Sequence, residues 1–156
     1  MITADQLLAH AVGDYVLQSD WMANHKTSRP FVALVHALTY SIPFTLLNPS
    51  LGAWVAVVLT HALIDHYRLA RYVVWAKEWL GPGLNWLVLR FSLGHPSDGP
   101  HAGWPGRWPD APRPPPLAEC PTGYSPDKPS WLAVWLLIIT DNVMHVLING
   151  AALKWL

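Results

Sequence analysis

The chain of 156 residues is 52% hydrophobic and only 13% charged, against about 25% charged in an ordinary soluble domain. Ten basic residues balance ten acidic ones, so no polyanion partner is implied, and the low charge argues against a nucleic-acid binder and a disordered chain. The single cysteine, Cys120, excludes a disulfide framework and a thiolate zinc site.

The expected fold is all-α: an integral membrane bundle of four helices in a single domain, residues 1–156, with the lipid bilayer as its main partner. The first helix spans about residues 4–24. It is rich in Leu, Val and Ala but carries Asp5, Asp14 and Asp20, so its polar face should look into the bundle. The second, about 30–47, has no Asp, Glu, Lys or Arg, and the third, about 51–76, has only Asp65 up to Tyr67. These lengths suit about 30 Å of hydrocarbon. Gly81-Pro82-Gly83 predicts a break, followed by a short interfacial helix over about 84–91 with Arg90 free to snorkel. The connection between helices 3 and 4, residues 94–129, holds 11 of the 15 prolines and reads as an extended spacer. The fourth helix spans about 130–153, with Asp141 as its one charge. Trp21, Trp54, Trp75, Trp79, Trp131 and Trp155 fall near the helix ends, as an aromatic belt requires. The competing reading is a soluble bundle of very apolar helices.

Basic residues cluster in two connections. Lys26 and Arg29 lie between helices 1 and 2, and Arg68 through Lys128 between helices 3 and 4, whereas Asn48-Pro49-Ser50 has none. The positive-inside rule then predicts a multi-pass protein of the inner (cytoplasmic) membrane, with both termini external and the basic connections cytoplasmic.

The polar residues inside the helices carry the functional argument. Helix 1 has His10, Asp14 and Gln18, helix 2 has His36, helix 3 has His61 and Asp65, and helix 4 has Asp141, His145 and Asn149. Residues four apart share a helix face, so three helices each present a His–Asp ridge. The segments Leu8–Asp14 and Leu59–Asp65 match in register, which hints at a duplicated hairpin. Helices 1 and 3 run inward with His first, and helix 4 runs outward with Asp first. The histidines should therefore form one layer and the aspartates another, about 6 Å deeper, with His36 near the aspartates. No Lys or Arg is expected at that depth. The carboxylates then need either protonation or one or two divalent cations. The expected ligands are His10, Asp14, His36, His61, Asp65, Asp141 and His145, supported by Gln18, Asn142 and Asn149. Without a thiolate, Zn, Mn, Fe and Mg cannot be told apart.

The strings around His10–Met22, His61–Asp65 and Asp141–Asn149 resemble a family of small bacterial and phage membrane proteins catalogued as domain of unknown function 3307. The resemblance covers nearly the whole chain except the proline-rich loop, and implies no established activity. In the style of its His/Asp pattern the chain is also similar, more distantly, to predicted membrane-bound metal-dependent hydrolases. The expected function is hydrolysis of an ester or phosphoester in an amphipathic or lipid substrate, with Asp14 as the base that accepts a proton from water. The alternatives are a metal-ion or proton transporter, in which the same ladder passes the ion, and a non-catalytic membrane component whose polar residues hold helices together.

Overall fold

The computed structural model describes residues 2–93 and 115–156, with side chains at 2–81 and 115–156. Among the described residues the regular structure is entirely helical. Six α-helices follow in order: α1 (Ala4–Ala11), α2 (Asp20–His25), α3 (Pro30–Ser41), α4 (Leu51–Tyr67), α5 (Leu69–Leu93) and α6 (Ser130–Trp155). The described chain divides into two compact units. One comprises Met1–Ala70 with Leu136–Leu156, and the other Arg71–Trp135.

In the first unit, polar caps set the helix starts. Thr3 and Gln6 form a reciprocal capping box at α1, Ser19 caps α2 and Ser50 caps α4, each satisfying an amide that would otherwise lack a partner. Pro30 opens α3, where its missing N–H costs nothing.

The continuous first helix expected over 4–24 is not what forms. After α1 the chain widens into a π-helical turn, Val12–Val16, closed by Leu17 N–H to the Val12 carbonyl, and α2 starts only at Asp20. The widening coincides with a close crossing. A Cβ on Gly13 would lie 2.6 Å from both the ring and the backbone oxygen of Tyr40. The second segment is α-helical to Ser41 and then tightens into a 3-10 turn, Pro43–Leu47, ending at Asn48 in the left-handed region.

The third helix stops at Tyr67, not near 76, because Arg68 adopts φ 52° and ψ 49° and caps α4. A non-glycine residue pays about 1 kcal/mol or more for that conformation, and no glycine or asparagine marks it in the sequence. The expected break at Gly81-Pro82-Gly83 is also absent, and the separate helix over 84–91 is instead the distal part of α5. A mid-helix proline costs about 3 kcal/mol, which does not end a segment otherwise rich in strong helix formers. The last helix runs on to Trp155, two residues beyond the expected end.

In the second unit, the described part of the proline-rich loop, residues 115–129, is folded rather than extended. It contains a short 3-10 turn, Leu117–Glu119; the rest of that expectation, residues 94–114, lies outside the described residues. Trp75 donates its indole N–H to the Pro115 carbonyl at 2.9 Å. Lys77 donates to the Tyr124 hydroxyl at 2.8 Å, and the Lys128 ammonium lies 4.5 Å from the centre of that ring. Gly123 takes φ 83° where the loop meets the Arg71 carbonyl and Val74, a place that admits no side chain. Cys120 is buried here, and burial pushes its thiol up, away from the reactive thiolate.

Two segments, Pro30–Leu47 and Ser130–Trp155, are long and apolar enough to cross a membrane. Of their apolar windows, 39% is buried in Pro30–Leu47 and 11% in α6. Exposed apolar residues recur every four positions on α6 (Trp131, Trp135, Ile139, Val143, Leu147) and on α4 (Leu51, Val55, Leu59, Leu63). The interior of the first unit holds apolar residues such as Val32, Tyr40, Phe44 and Val57, and among them the polar His10, His36, Ser41, His61, Asp65, His145 and Asn149.

Candidate metal centre

Six side chains from the π turn, α3, α4 and α6 converge inside the first unit. His36 and His61 are fully buried and their Nε2 atoms lie 3.0 Å apart. Asp14 Oδ1 lies 3.3 Å from His36 Nε2 and 3.5 Å from His61 Nε2. Asp65 Oδ2 lies 3.2 Å from each of the same two nitrogens. On its other side, Asp65 Oδ1 is 3.5 Å from His145 Nε2, which is 3.4 Å from Asp141 Oδ2. The ligand atoms of Asp14, His36 and His61 fall within 4.8 Å of one another, as do those of His61, Asp65 and His145. His61 belongs to both groups.

These separations suit a cation. With bonds of about 2.0–2.1 Å, neighbouring ligands are about 3.3 Å apart around a tetrahedral ion and about 3.0 Å apart around an octahedral one. Two imidazole Nε2 atoms at 3.0 Å can share at most one proton between them. His145 finds no hydrogen-bond partner at either ring nitrogen. The two groups of ligand atoms could hold a metal ion, and imidazole with carboxylate is a donor set that suits Zn, Mn or Fe.

Sequence reasoning expected no cation at this depth, and Lys26 corrects it. Its Nζ lies 2.8 Å from Asp65 Oδ2, 3.4 Å from His36 Nε2 and 2.8 Å from Gln18 Oε1. Lys26 ends α2, and the turn into α3 brings it back over the cluster. It was read only as part of a basic connection, and no periodicity in the sequence could have placed it. Gln18 is thus in reach of the site through Lys26, although the unwound chain at Leu17–Ser19 takes it off the helical ridge it was expected to share with Asp14.

His10, an expected ligand, has both ring nitrogens engaged. Asn142 donates its amide to the Tyr15 hydroxyl and the Ile138 carbonyl, so its oxygen faces His10 Nε2 at 2.7 Å and takes that proton. His10 Nδ1 then accepts from the Tyr40 hydroxyl at 2.8 Å, leaving Asp14 Oδ2 at 3.6 Å. Asn149 completes the chain by donating to the Tyr40 hydroxyl at 2.6 Å. Tyr40 was not among the expected site residues, yet its ring stacks on His61 with centroids 3.7 Å apart. Its signal was available: it lies four residues after His36, on the same face. Asn142 and Asn149 therefore hold His10 and Tyr40, and Tyr40 fixes the plane of the His61 ring.

Tyr40 and Phe44 also pack with Ala9, Val57 and Ala152 into an apolar cluster, which adjoins the site where the Tyr40 ring stacks on His61. The side chains of Lys26, Asp14 and Asp141 are partly exposed, whereas His36, His61 and His145 are buried.

The class these features define is an all-helical protein with a buried His/Asp cluster of metal-ligating composition, clad in apolar helices. Over residues 2–79 the chain matches, and it belongs to, the family described as "Protein of unknown function (DUF3307)". That match takes in Asp14, Lys26, His36, Tyr40, His61 and Asp65, whereas Asp141 and His145 lie beyond it. No curated protein and no solved structure matches the chain.

Proposed function

We propose that this chain is a membrane-embedded, metal-dependent hydrolase that cleaves an ester or phosphoester in an amphipathic substrate. The observation that carries the reading is the convergence of imidazole and carboxylate atoms at ligand-to-ligand spacing inside a unit whose outer faces are apolar. Such an inversion is stable where lipid covers the outside. The proposal includes a bundle of four membrane segments, built from residues 4–25, Pro30–Leu47, α4 and α6, in the inner membrane of a bacterium or a phage-infected cell. Kinship with membrane-bound metal-dependent hydrolases belongs to the same reading.

One or two divalent ions held by Asp14, His36, His61, Asp65, Asp141 and His145 would supply a Lewis acid and a water acidified to near neutrality. Asp14 has one oxygen near His36 and the other near His10, and would be the carboxylate that accepts the proton from that water. The test is turnover across a panel of phosphoesters and acyl esters in detergent, without any gradient. Metal-dependent turnover that disappears in Asp14→Asn is the expected result. Absence of turnover, with ion flux in liposomes that Asp65→Asn abolishes, would instead make the protein a transporter.

Topology has its own expected outcome. On a Cys120→Ser background, cysteines at Ser28 and Asp127 should be labelled from the cytoplasmic side and one at Leu51 from the outside. Labelling of position 51 from the cytoplasm alone would invert the proposed orientation.

A further inference from the structure

Lys26 is the feature that the hydrolytic reading leaves unused. Its ammonium contacts Asp65 and His36, two residues of the proposed ligand set, at 2.8 and 3.4 Å. Its side chain is 18% exposed, while those of Asp65 and His36 are 4% and 0% exposed. The lysine therefore keeps part of its side chain exposed while its charge sits on buried groups. The backbone at Lys26 is pinned, because His66 Nδ1 donates to its carbonyl at 3.0 Å, so any movement belongs to the flexible four-carbon stem.

We propose that Lys26 is the oxyanion anchor of this site: its ammonium neutralises Asp65 while the cluster is metal-free, is displaced when a divalent ion takes Asp65 and His36, and then binds the phosphate oxygen of an incoming phosphoester. This inference rests on the metal-centre reading above. A divalent ion bound to the same carboxylate repels an ammonium a few ångströms away, and a desolvated ammonium that loses its carboxylate needs another anion. Gln18 Oε1, 2.8 Å from Nζ, is a partner of the ammonium that the ion would not take. A phosphate group is the anion whose charge and hydrogen-bond acceptors fit a lysine presented in this way.

The experiment compares wild type, Lys26→Gln and Lys26→Arg in detergent. The amide of the first can still reach Asp65, and the second keeps the charge. Mn2+ affinity is measured first, followed by binding of inorganic phosphate and of phosphatidic acid micelles to the Mn2+-loaded protein. The expected result is Mn2+ affinity about tenfold higher in Lys26→Gln, where the competing charge is gone. Phosphate-group binding should weaken at least tenfold in Lys26→Gln and persist in Lys26→Arg. Lys26-dependent binding of inorganic phosphate identifies free phosphate as a sufficient ligand, and Lys26-dependent binding of phosphatidic acid alone identifies a lipid headgroup. Wild-type Mn2+ affinity in Lys26→Gln, or anion binding indifferent to position 26, overturns the role of Lys26 while leaving the metal centre in place. Failure of wild type and both variants to bind Mn2+, Zn2+ or Mg2+ overturns the metal centre, and this inference with it.

Discussion

His61→Gln will bind divalent metal at least a hundredfold more weakly than wild type, whereas His10→Gln will keep its metal stoichiometry. His61 supplies a nitrogen to both candidate ligand groups, so its loss opens the two together. Losing a partner that merely supports a metal ligand costs about 10–100-fold in affinity, and losing a shared ligand should cost more. His10 is the informative control. It sits on the same kind of ridge, at 5% exposure, but its nitrogens are taken by Tyr40 and Asn142. Metal titration of the two variants, with circular dichroism to establish that both remain helical, checks the assignment. Equal metal affinity in the two variants would show that burial on a His–Asp ridge, and not the geometry at the centre, decides ligation.

The second large effect is steric. Gly13→Ala places a carbon 2.6 Å from the Tyr40 backbone oxygen, and a backbone atom in a helix crossing cannot swing aside as a side chain can. Overpacking of this kind costs about 1–3 kcal/mol. Because Gly13 precedes Asp14 and Tyr40 stacks on His61, the displacement should weaken metal binding as well as lower the melting temperature. Gly52→Ala is the control of opposite sign. Its added carbon would meet only the Ser50 hydroxyl at 3.7 Å, and alanine in a helix gains about 0.5–1 kcal/mol over glycine. Gly13→Ala protein that melts with wild type would mean that the π turn and α3 do not cross at this residue.

Much of the site was legible because it obeys a single rule. His61 and Asp65, and likewise Asp141 and His145, are four apart on unbroken helices, and the structure brings them together as that spacing requires. His10 and Asp14 follow the same spacing but straddle the start of the π turn, and their ring-to-carboxylate distance stretches to 3.6 Å. The matching segments Leu8–Asp14 and Leu59–Asp65 thus end in different backbones, one widened and one regular. The sequence difference that permits this is Gly13 in place of Ile64, and its meaning lies in the contact with Tyr40, which no local pattern reveals.

Two other features were hidden for different reasons. Lys26 reaches the cluster only because the chain reverses between α2 and α3, so its partner Asp65 is remote in sequence. The end of α4 rests on Arg68 in a left-handed conformation, where composition gives no warning. Apolar periodicity located the helical segments, but could not say where a helix would pause and resume, because α4 and α5 are separated by that one residue.

The central claim is that the His/Asp cluster binds a divalent cation, and the most direct measurement is the melting temperature of the detergent-purified protein, with and without added Zn2+, Mn2+ or Mg2+, beside Asp65→Asn. A ligand that binds only the folded chain stabilises it by about 2.7 kcal/mol at a hundredfold excess over its dissociation constant. The account predicts a saturable rise in melting temperature with at least one of these ions in wild type, and none in Asp65→Asn. Identical melting temperatures for the two proteins, unmoved by any of the three ions, would contradict it.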